Sequence, residues 1–112
     1  MKLSRKKCIP CEDKSVKPLT QTKAKELLKQ VSGWTLEKDA KGLCISKTWL
    51  FKDFVQAMKF VTVVGKLAER EGHHPDIMIS YNKVILLLWT HSIKGLSEND
   101  FILAAKINML TK

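Results

Sequence analysis

Three histidines at the ends of predicted elements are the residues of this sequence best suited to chemistry. His73 and His74 end a long helical pattern, and His91 ends an apolar strand pattern. Imidazole titrates near neutral pH, so one ring can donate a proton while another accepts one. Acid–base catalysis without a covalent intermediate is therefore favoured. Two other interpretations stay open, namely a zinc site with three imidazole ligands and histidines that only end a helix and a strand.

A predicted hairpin brings these histidines together. Asn82-Lys83 stands between two strand patterns, where a two-residue turn is expected. With that turn Tyr81 lies opposite Val84, and counting outward places His74 opposite His91. The sequence therefore predicts that the histidines converge at the open end of the hairpin. No metal is predicted there, because two adjacent histidines do not easily face one ion from regular backbone.

Asp100, Glu69 and Trp34 are further candidates, and each residue type admits two roles. Ser97 to Asp100 fit the Ser-x-x-Asp pattern of a capping box, so Asp100 is expected to cap a helix or to orient a histidine. Glu69 stands one helical turn before His73 and can pair with it or lie on a solvated face. Trp34 opens a strand, and tryptophan is more often a core residue than a ligand platform.

Seven predicted elements must position these residues. Thr20 is a candidate cap for a short helix that Gly33 stops, and Asp53 is a candidate cap for the strongest helical pattern, which ends near Glu71. The remaining predictions are strands at 34–37, 43–51, 77–81 and 84–89, and a last helix from Glu98 to about Leu110. The order α, β, β, α, β, β, α predicts an α+β fold, a four-stranded antiparallel sheet with three helices packed on one face.

Length and charge limit the function classes. The chain has 112 residues, a length that allows one domain, and it carries a net charge of +9. Its longest apolar run, 84–89, is far shorter than the roughly 20 residues that span a membrane, so no membrane partner is predicted. Residues 1–30 hold nine basic and three acidic groups, so most of the charge belongs to the beginning of the chain. We expect a basic tail at 1–18, either solvated or anion-binding, and a domain at 19–112 that does not bind nucleic acid.

The three cysteines indicate a reducing compartment, because their number is odd and too small for a disulfide scaffold. Cys8 and Cys11 form a lone CxxC in the tail, which predicts free thiols, with metal or redox chemistry as the alternative. Cys44 falls in a strand pattern and is expected in the core. The tail lacks the apolar segment of a secretory signal, so a cytoplasmic location is expected, with organelle targeting left open.

The spacing of the candidate residues resembles a family signature. The pattern reads Glu69-x3-His73-His74-Pro75-x5-Tyr81-x9-His91-x8-Asp100. It is similar to the signature of the pterin-4a-carbinolamine dehydratases, and so are the segments Gly33-Trp34, Phe51-Lys52-Asp53-Phe54, Tyr81-Asn82-Lys83-Val84 and Gly95-Leu96-Ser97-Glu98. The resemblance covers about residues 20–110 and leaves the basic tail outside.

This resemblance implies an α+β fold and the dehydration of 4a-hydroxytetrahydropterin to quinonoid dihydropterin. Such a step recycles tetrahydrobiopterin for aromatic amino acid hydroxylases. The catalytic residues it implies are His73, His74 and His91, and the residues that bind or support the substrate are Trp34, Glu69, Thr90, Ser92 and Asp100. At Ser92 some relatives have an acidic residue. The pterin is the substrate, so neither a cofactor nor a metal is expected.

The resemblance also implies how the chain associates. Members of the family form homodimers or homotetramers. Some of them act as dimerisation partners of a transcription factor, so the alternative function is an interaction module that acts as a coactivator without catalysis. Three histidines in the signature positions favour the enzyme, because an interaction surface does not require them.

Overall fold

The computed structural model describes residue 3 and residues 18–39, 42–90 and 93–110. Its elements are α1 (Gln21–Leu28), β1 (Thr35–Asp39), β2 (Gly42–Leu50), α2 (Phe54–Glu71), β3 (Asp76–Ser80), β4 (Lys83–Leu88) and α3 (Glu98–Leu110). The predicted order of elements and the α+β fold class are confirmed. Most of the predicted basic tail, with Cys8 and Cys11, lies outside the described residues. Leu3 is described, and it is buried against the core.

One antiparallel sheet forms the centre of the fold, with strand order β1-β2-β4-β3. Along β4, Val84, Leu86 and Leu88 are fully buried, while the residues between them are only partly buried. This alternation is typical of a strand with one face against helices. Ile45 and Trp49 of β2 continue the same buried face. As predicted, the helices pack on one side of the sheet.

The starts of α1 and α2 follow the capping residues expected from the sequence, whereas α1 ends at Leu28, before the predicted stop at Gly33. The Thr20 side chain accepts from the Lys23 backbone N–H at 3.2 Å, and the Asp53 carboxylate accepts from the Gln56 N–H at 2.9 Å. Gly72 ends α2 in the left-handed region, at φ 69°. These ends determine where the candidate site residues leave regular structure.

The hairpin between β3 and β4 turns one residue earlier than predicted, which shifts the strand pairing by two residues. Val84 lies opposite Ile79, and Lys83 already pairs as the first residue of β4. The turn is Tyr81-Asn82, with Tyr81 at φ 54°. The predicted register, with Tyr81 opposite Val84, is therefore wrong. His91 lies outside the described residues, so the convergence of the histidines stays a prediction.

The reason for this register lies at the end of β2. The Asn82 amide donates to the Phe51 carbonyl at 2.9 Å, and the Phe51 N–H donates to the Asn82 carbonyl at 2.8 Å. These two bonds hold Asn82 in the turn and leave Lys83 to pair with Leu50 of β2. The long-range contact therefore decides between two turns that local sequence leaves nearly equivalent.

No helix among the described residues is long and apolar enough to cross a membrane.

Candidate functional site

A buried imidazole–carboxylate pair forms the centre of the candidate site. His73 is 5% exposed, Asp100 is fully buried, and His73 Nε2 lies 2.6 Å from Asp100 Oδ1. His73 follows the Gly72 cap, and its backbone N–H still donates to the carbonyl of Ala68 in α2. Asp100 lies in the first turn of α3. The pair therefore joins the C-terminal end of α2 to the N-terminal end of α3.

The second carboxylate oxygen of Asp100 receives two further hydrogen bonds. The Thr90 hydroxyl donates to Oδ2 at 2.8 Å, and the Ser97 backbone N–H donates to the same atom at 2.9 Å. The bond from Ser97 is one half of the capping box that the sequence predicts. Asp100 therefore caps α3 and orients a histidine at the same time, so the two roles do not exclude each other.

Thr90 is held in place from both its backbone and its side chain. Its N–H donates to the Gly95 carbonyl at 2.7 Å, and the Gly95 N–H returns to the Thr90 carbonyl at 3.4 Å. The Thr90 hydroxyl lies 2.7 Å from the Ser97 hydroxyl, and both residues are buried. The Thr90 hydroxyl, expected at the edge of a substrate, is thus engaged by the protein in this structure.

His74 and Glu69 form a second pair, on the surface. His74 Nε2 lies 3.0 Å from Glu69 Oε2, and the two side chains are 60% and 83% exposed. Of the two roles open for Glu69, pairing with His73 is not found, because the ring of His73 turns inward to Asp100, and Glu69 lies on the exposed surface. Pro75 favours extended backbone at His74, and such backbone directs neighbouring side chains to opposite sides.

Trp34 lies at the other end of α3. Its indole N–H donates to Asn108 Oδ1 at 3.0 Å, and its ring packs edge-on against Trp49 with centroids 5.8 Å apart. Asn108 follows Asp100 by eight residues, a distance of roughly 12 Å along a helix. The buried Trp34 is a core residue here, and its N–H is bound away from the His73–Asp100 pair.

His91 and Ser92 lie outside the described residues. Thr90, which donates to Asp100, directly precedes His91 in the sequence. Sequence reasoning did not consider the Ser97 hydroxyl, although the capping pattern already placed Ser97 beside Asp100. In the ranges 18–39, 42–90 and 93–110, no three His, Cys, Asp or Glu side chains are arranged to hold a metal ion.

The arrangement suits proton transfer. An ionised carboxylate only accepts hydrogen bonds, so Asp100 fixes the proton of the neutral His73 ring on Nε2 and leaves the lone pair on Nδ1. The position of Asp100 in the first turn of α3 also matches the positive end of the helix dipole. Among the described residues, every buried side-chain N or O atom has a hydrogen-bond partner, so the site is ordered by its own contacts.

Known proteins similar to this chain are described as pterin dehydratases. The family model described as pterin 4 alpha carbinolamine dehydratase matches residues 17–110. The chain is 47% identical over 109 residues to pterin-4-alpha-carbinolamine dehydratase 2, mitochondrial, of Arabidopsis thaliana, covering 96% of this chain and 58% of that protein. It is 43% identical over 110 residues to a putative pterin-4-alpha-carbinolamine dehydratase of Halorhodospira halophila, covering 98% of each chain.

Solved structures show the same fold. A transcriptional coactivator/pterin dehydratase from Brucella melitensis superposes with a TM-score of 0.77 at 33% identity, covering 85% of this chain and 99% of that chain. A pterin dehydratase-like protein identified as a RuBisCO assembly factor in the alpha-carboxysome superposes with a TM-score of 0.59 at 22% identity, which supports the fold alone. The family resemblance predicted from the signature residues is confirmed: the chain belongs to the pterin-4-alpha-carbinolamine dehydratase family, a family of hydro-lyases.

Proposed function

We propose that this chain dehydrates a 4a-hydroxytetrahydropterin to the quinonoid dihydropterin by histidine acid–base catalysis. The reaction removes one proton from ring N5 and delivers one to the leaving 4a-hydroxyl, so that water departs and no redox partner is needed. Family membership supports the dehydration. The observation that supports histidine catalysis is the buried 2.6 Å contact between His73 and Asp100, because such a contact orients an imidazole for proton transfer.

Each histidine has a proposed role in this reaction. His73 takes up and returns a proton at Nδ1, since Asp100 holds the proton that the neutral ring carries on Nε2. His74 lies with Glu69 on the exposed surface, where we propose that it contacts the pterin as the substrate enters from solvent. His91 supplies the third imidazole, on the signature alone. The residues proposed to bind or support the substrate are Trp34, Glu69, Thr90, Ser92 and Asp100.

The proposed place of this reaction is the recycling of tetrahydrobiopterin after an aromatic amino acid hydroxylase has formed the 4a-hydroxy compound. The pterin is the substrate, and no separate cofactor or metal is proposed. A reducing compartment, the cytoplasm, is the proposed location, and the name of the Arabidopsis relative describes that protein as mitochondrial.

A stopped-flow assay of 4a-hydroxytetrahydropterin breakdown tests the catalytic proposal. We expect His73→Ala and His91→Ala each to lower kcat by about 100-fold or more, the usual contribution of a general acid or base. Gln30→Ala, an exposed change next to α1, is the control and keeps the wild-type rate. Wild-type rates in both histidine variants would contradict the proposal.

Self-association is proposed through β3, which is an open edge of the sheet. All five residues of β3 are exposed, including Ile77 at 38%, Met78 at 63% and Ile79 at 37%. Natural edge strands are usually protected by charge, proline or a bulge, and the apolar centre of β3 has no Lys or Pro. Two copies of one antiparallel edge can pair about a two-fold axis. A second copy of this chain is therefore the proposed occupant.

Sedimentation velocity tests this association. We expect the wild-type chain to sediment as a dimer or tetramer and the Ile77→Lys/Met78→Lys variant to sediment as a monomer, because the charges would face each other across the two-fold axis. The Lys83→Glu variant, which changes charge in the neighbouring strand β4, keeps the wild-type mass. A wild-type monomer at all concentrations would contradict the proposal.

The alternative is an interaction module without catalysis. It is favoured by an exposed apolar stripe along α2, whose members are Phe54, Val55, Met58 and Val63. The Brucella protein is described as both a transcriptional coactivator and a pterin dehydratase. The stopped-flow assay distinguishes the two functions, since a module without catalysis leaves breakdown of the 4a-hydroxy compound at the rate of the uncatalysed reaction.

A further inference from the structure

Two buried hydroxyls stand directly behind the His73–Asp100 pair. Thr90 is 2% exposed and Ser97 is 6% exposed, so neither hydroxyl is placed to be satisfied by bulk water. Their oxygens lie 2.7 Å apart, and Thr90 Oγ1 lies 2.8 Å from Asp100 Oδ2. One continuous chain of hydrogen bonds therefore runs through the interior, from Ser97 through Thr90 and Asp100 to His73.

Counting donors gives this chain of hydrogen bonds a direction. A hydroxyl has one proton to donate, and an ionised carboxylate has none. The Thr90 hydroxyl therefore donates its hydrogen bond to Asp100. The bond between the two hydroxyls then runs from Ser97 to Thr90. At the far end, the N–H of His73 donates to the other oxygen of Asp100. Both oxygens of the Asp100 carboxylate therefore accept hydrogen bonds, Oδ1 from His73 and Oδ2 from Thr90.

We propose that Thr90 and Ser97 are positioning residues that act on His73 through Asp100. Their bonds hold Oδ2, and with it the plane of the carboxylate, so that Oδ1 always faces the ring. The ring of His73 is thereby kept in the form that carries its proton on Nε2. The kinetic part of this proposal rests on the proposed catalytic role of His73, whereas the tautomer does not.

The surroundings of Thr90 indicate that its hydroxyl is needed for hydrogen bonding and that the residue does not serve packing alone. The Thr90 backbone is bridged to Gly95 in both directions, at 2.7 and 3.4 Å, so the Cα atom that carries the hydroxyl group cannot shift without opening that loop. Valine has nearly the same shape as threonine and would occupy the same place. It would leave Oδ2 of Asp100 with the Ser97 N–H and would take away the acceptor of the Ser97 hydroxyl.

The test compares Thr90→Val with Thr90→Ser, which keeps the hydroxyl, and with Ser97→Ala. Thr48→Val is the control, because Thr48 is an exposed threonine on β2. The readouts are kcat and KM in the dehydration assay, the pH profile of kcat, and imidazole 15N NMR, in which the His73 signals are assigned by their loss in His73→Ala.

We expect Thr90→Val to lower kcat about tenfold, the effect of losing one hydrogen bond to a charged group, with KM changed less than twofold. In this variant the 15N chemical shifts of His73 should change from those of the Nε2–H tautomer to those of a mixture of tautomers. The pH profile of kcat should differ from that of wild type. Thr90→Ser should restore kcat to within twofold and restore the NMR signals. Ser97→Ala should lower kcat about threefold, since Thr90 keeps its own bond to Asp100.

Wild-type kcat and wild-type His73 signals in Thr90→Val would overturn the proposal. Equal losses in Thr90→Ser and Thr90→Val would overturn it too, since the methyl group and not the hydroxyl would then matter. If Thr90→Val does not fold, the NMR signals of Ser97→Ala decide, and unchanged signals there would count against it. A wild-type rate in His73→Ala would instead refute the proposed catalytic role of His73 while leaving the tautomer measurement valid.

Discussion

The two ends of α3 have the same architecture and different chemistry. At each end, one polar side chain of the helix collects hydrogen bonds from other parts of the chain. At the N-terminal end this side chain is Asp100, and its donors are His73, Thr90 and Ser97. At the C-terminal end it is Asn108, which accepts from Trp34 and Lys47 and donates to the Ser32 carbonyl.

The difference lies in which groups can change their protonation. At the N-terminal end, a carboxylate faces an imidazole, and both are side-chain types that transfer protons in general acid–base catalysis. At the C-terminal end, an amide faces an indole and an ammonium, and neither the amide nor the indole exchanges protons near neutral pH. One end of α3 is therefore suited to proton transfer and the other to holding the fold together.

Asp100→Asn tests this distinction most directly, because it makes the N-terminal end chemically similar to the C-terminal end. We expect kcat to fall about 100-fold or more, since an amide cannot accept from three donors as a carboxylate does and the His73 tautomer is lost. The stopped-flow assay measures the change. Asp76→Asn is the matched control, because Asp76 accepts from the Trp89 indole at an exposed position. A rate within twofold of wild type in Asp100→Asn would remove the distinction.

Asn108→Ala should affect folding and spare catalysis. The buried Trp34 N–H and the Lys47 ammonium lose an acceptor, which should lower the free energy of unfolding by about 1–3 kcal/mol. Urea denaturation measures the loss, and kcat under native conditions should stay within threefold of wild type. Met109→Ala, the exposed neighbour, is the control. A large loss of kcat in a folded Asn108→Ala protein would show that both ends serve the reaction.

Glu69→Gln compares the exposed histidine pair with the buried one. Since both members are largely exposed, we expect the free energy of unfolding to change by less than about 0.5 kcal/mol. The effect on kcat should be smaller than that of Asp100→Asn, because solvent can replace the Glu69 carboxylate beside His74. A larger loss of kcat in Glu69→Gln than in Asp100→Asn would place the essential carboxylate at the rim.

Lys47→Met should have the smallest effect at neutral pH and a distinct pH dependence. Burial lowers the pKa of Lys47 from its ordinary value of 10.5, so the unfolded chain binds this proton more tightly than the folded one. The stability of wild type relative to Lys47→Met should therefore rise with pH as the folded-state group titrates and level off above 10.5. Urea denaturation between pH 7 and pH 10 measures it, and a pH-independent difference would contradict the prediction.

Much of the fold could be predicted because local signals agree with it. Thr20 and Asp53 cap the starts of α1 and α2, and Gly72 ends α2, as their residue types indicate. The apolar residues of β4 mark its buried face. The hairpin register could not be predicted, because Asn82 is held by Phe51, a residue 31 positions away. Periodicity carries no information about such a contact.

The capping bond of Asp100 could be predicted from the sequence, the pairing of the histidines could not, and the catalytic roles stay predictions. The capping pattern placed Asp100 correctly, and the spacing of the signature identified His73. Which carboxylate each histidine would meet depended on the direction of two adjacent side chains, which spacing does not determine. Lys47 was the one charged residue on an otherwise apolar strand face, and its partner Asn108 lies too far along the sequence for a pattern to reveal.

The hydrogen bonds at the two ends of α3 also close loops of very different length. The contacts of Asp100 span 3 to 27 residues, so that cluster forms within one stretch of chain from His73 onward. The contacts of Asn108 span 61 to 76 residues. Closing the longer loops costs about 1 kcal/mol more conformational entropy in an otherwise disordered chain. The acid–base cluster can therefore assemble early and locally during folding, and Asn108 joins α3 to the first half of the chain afterwards.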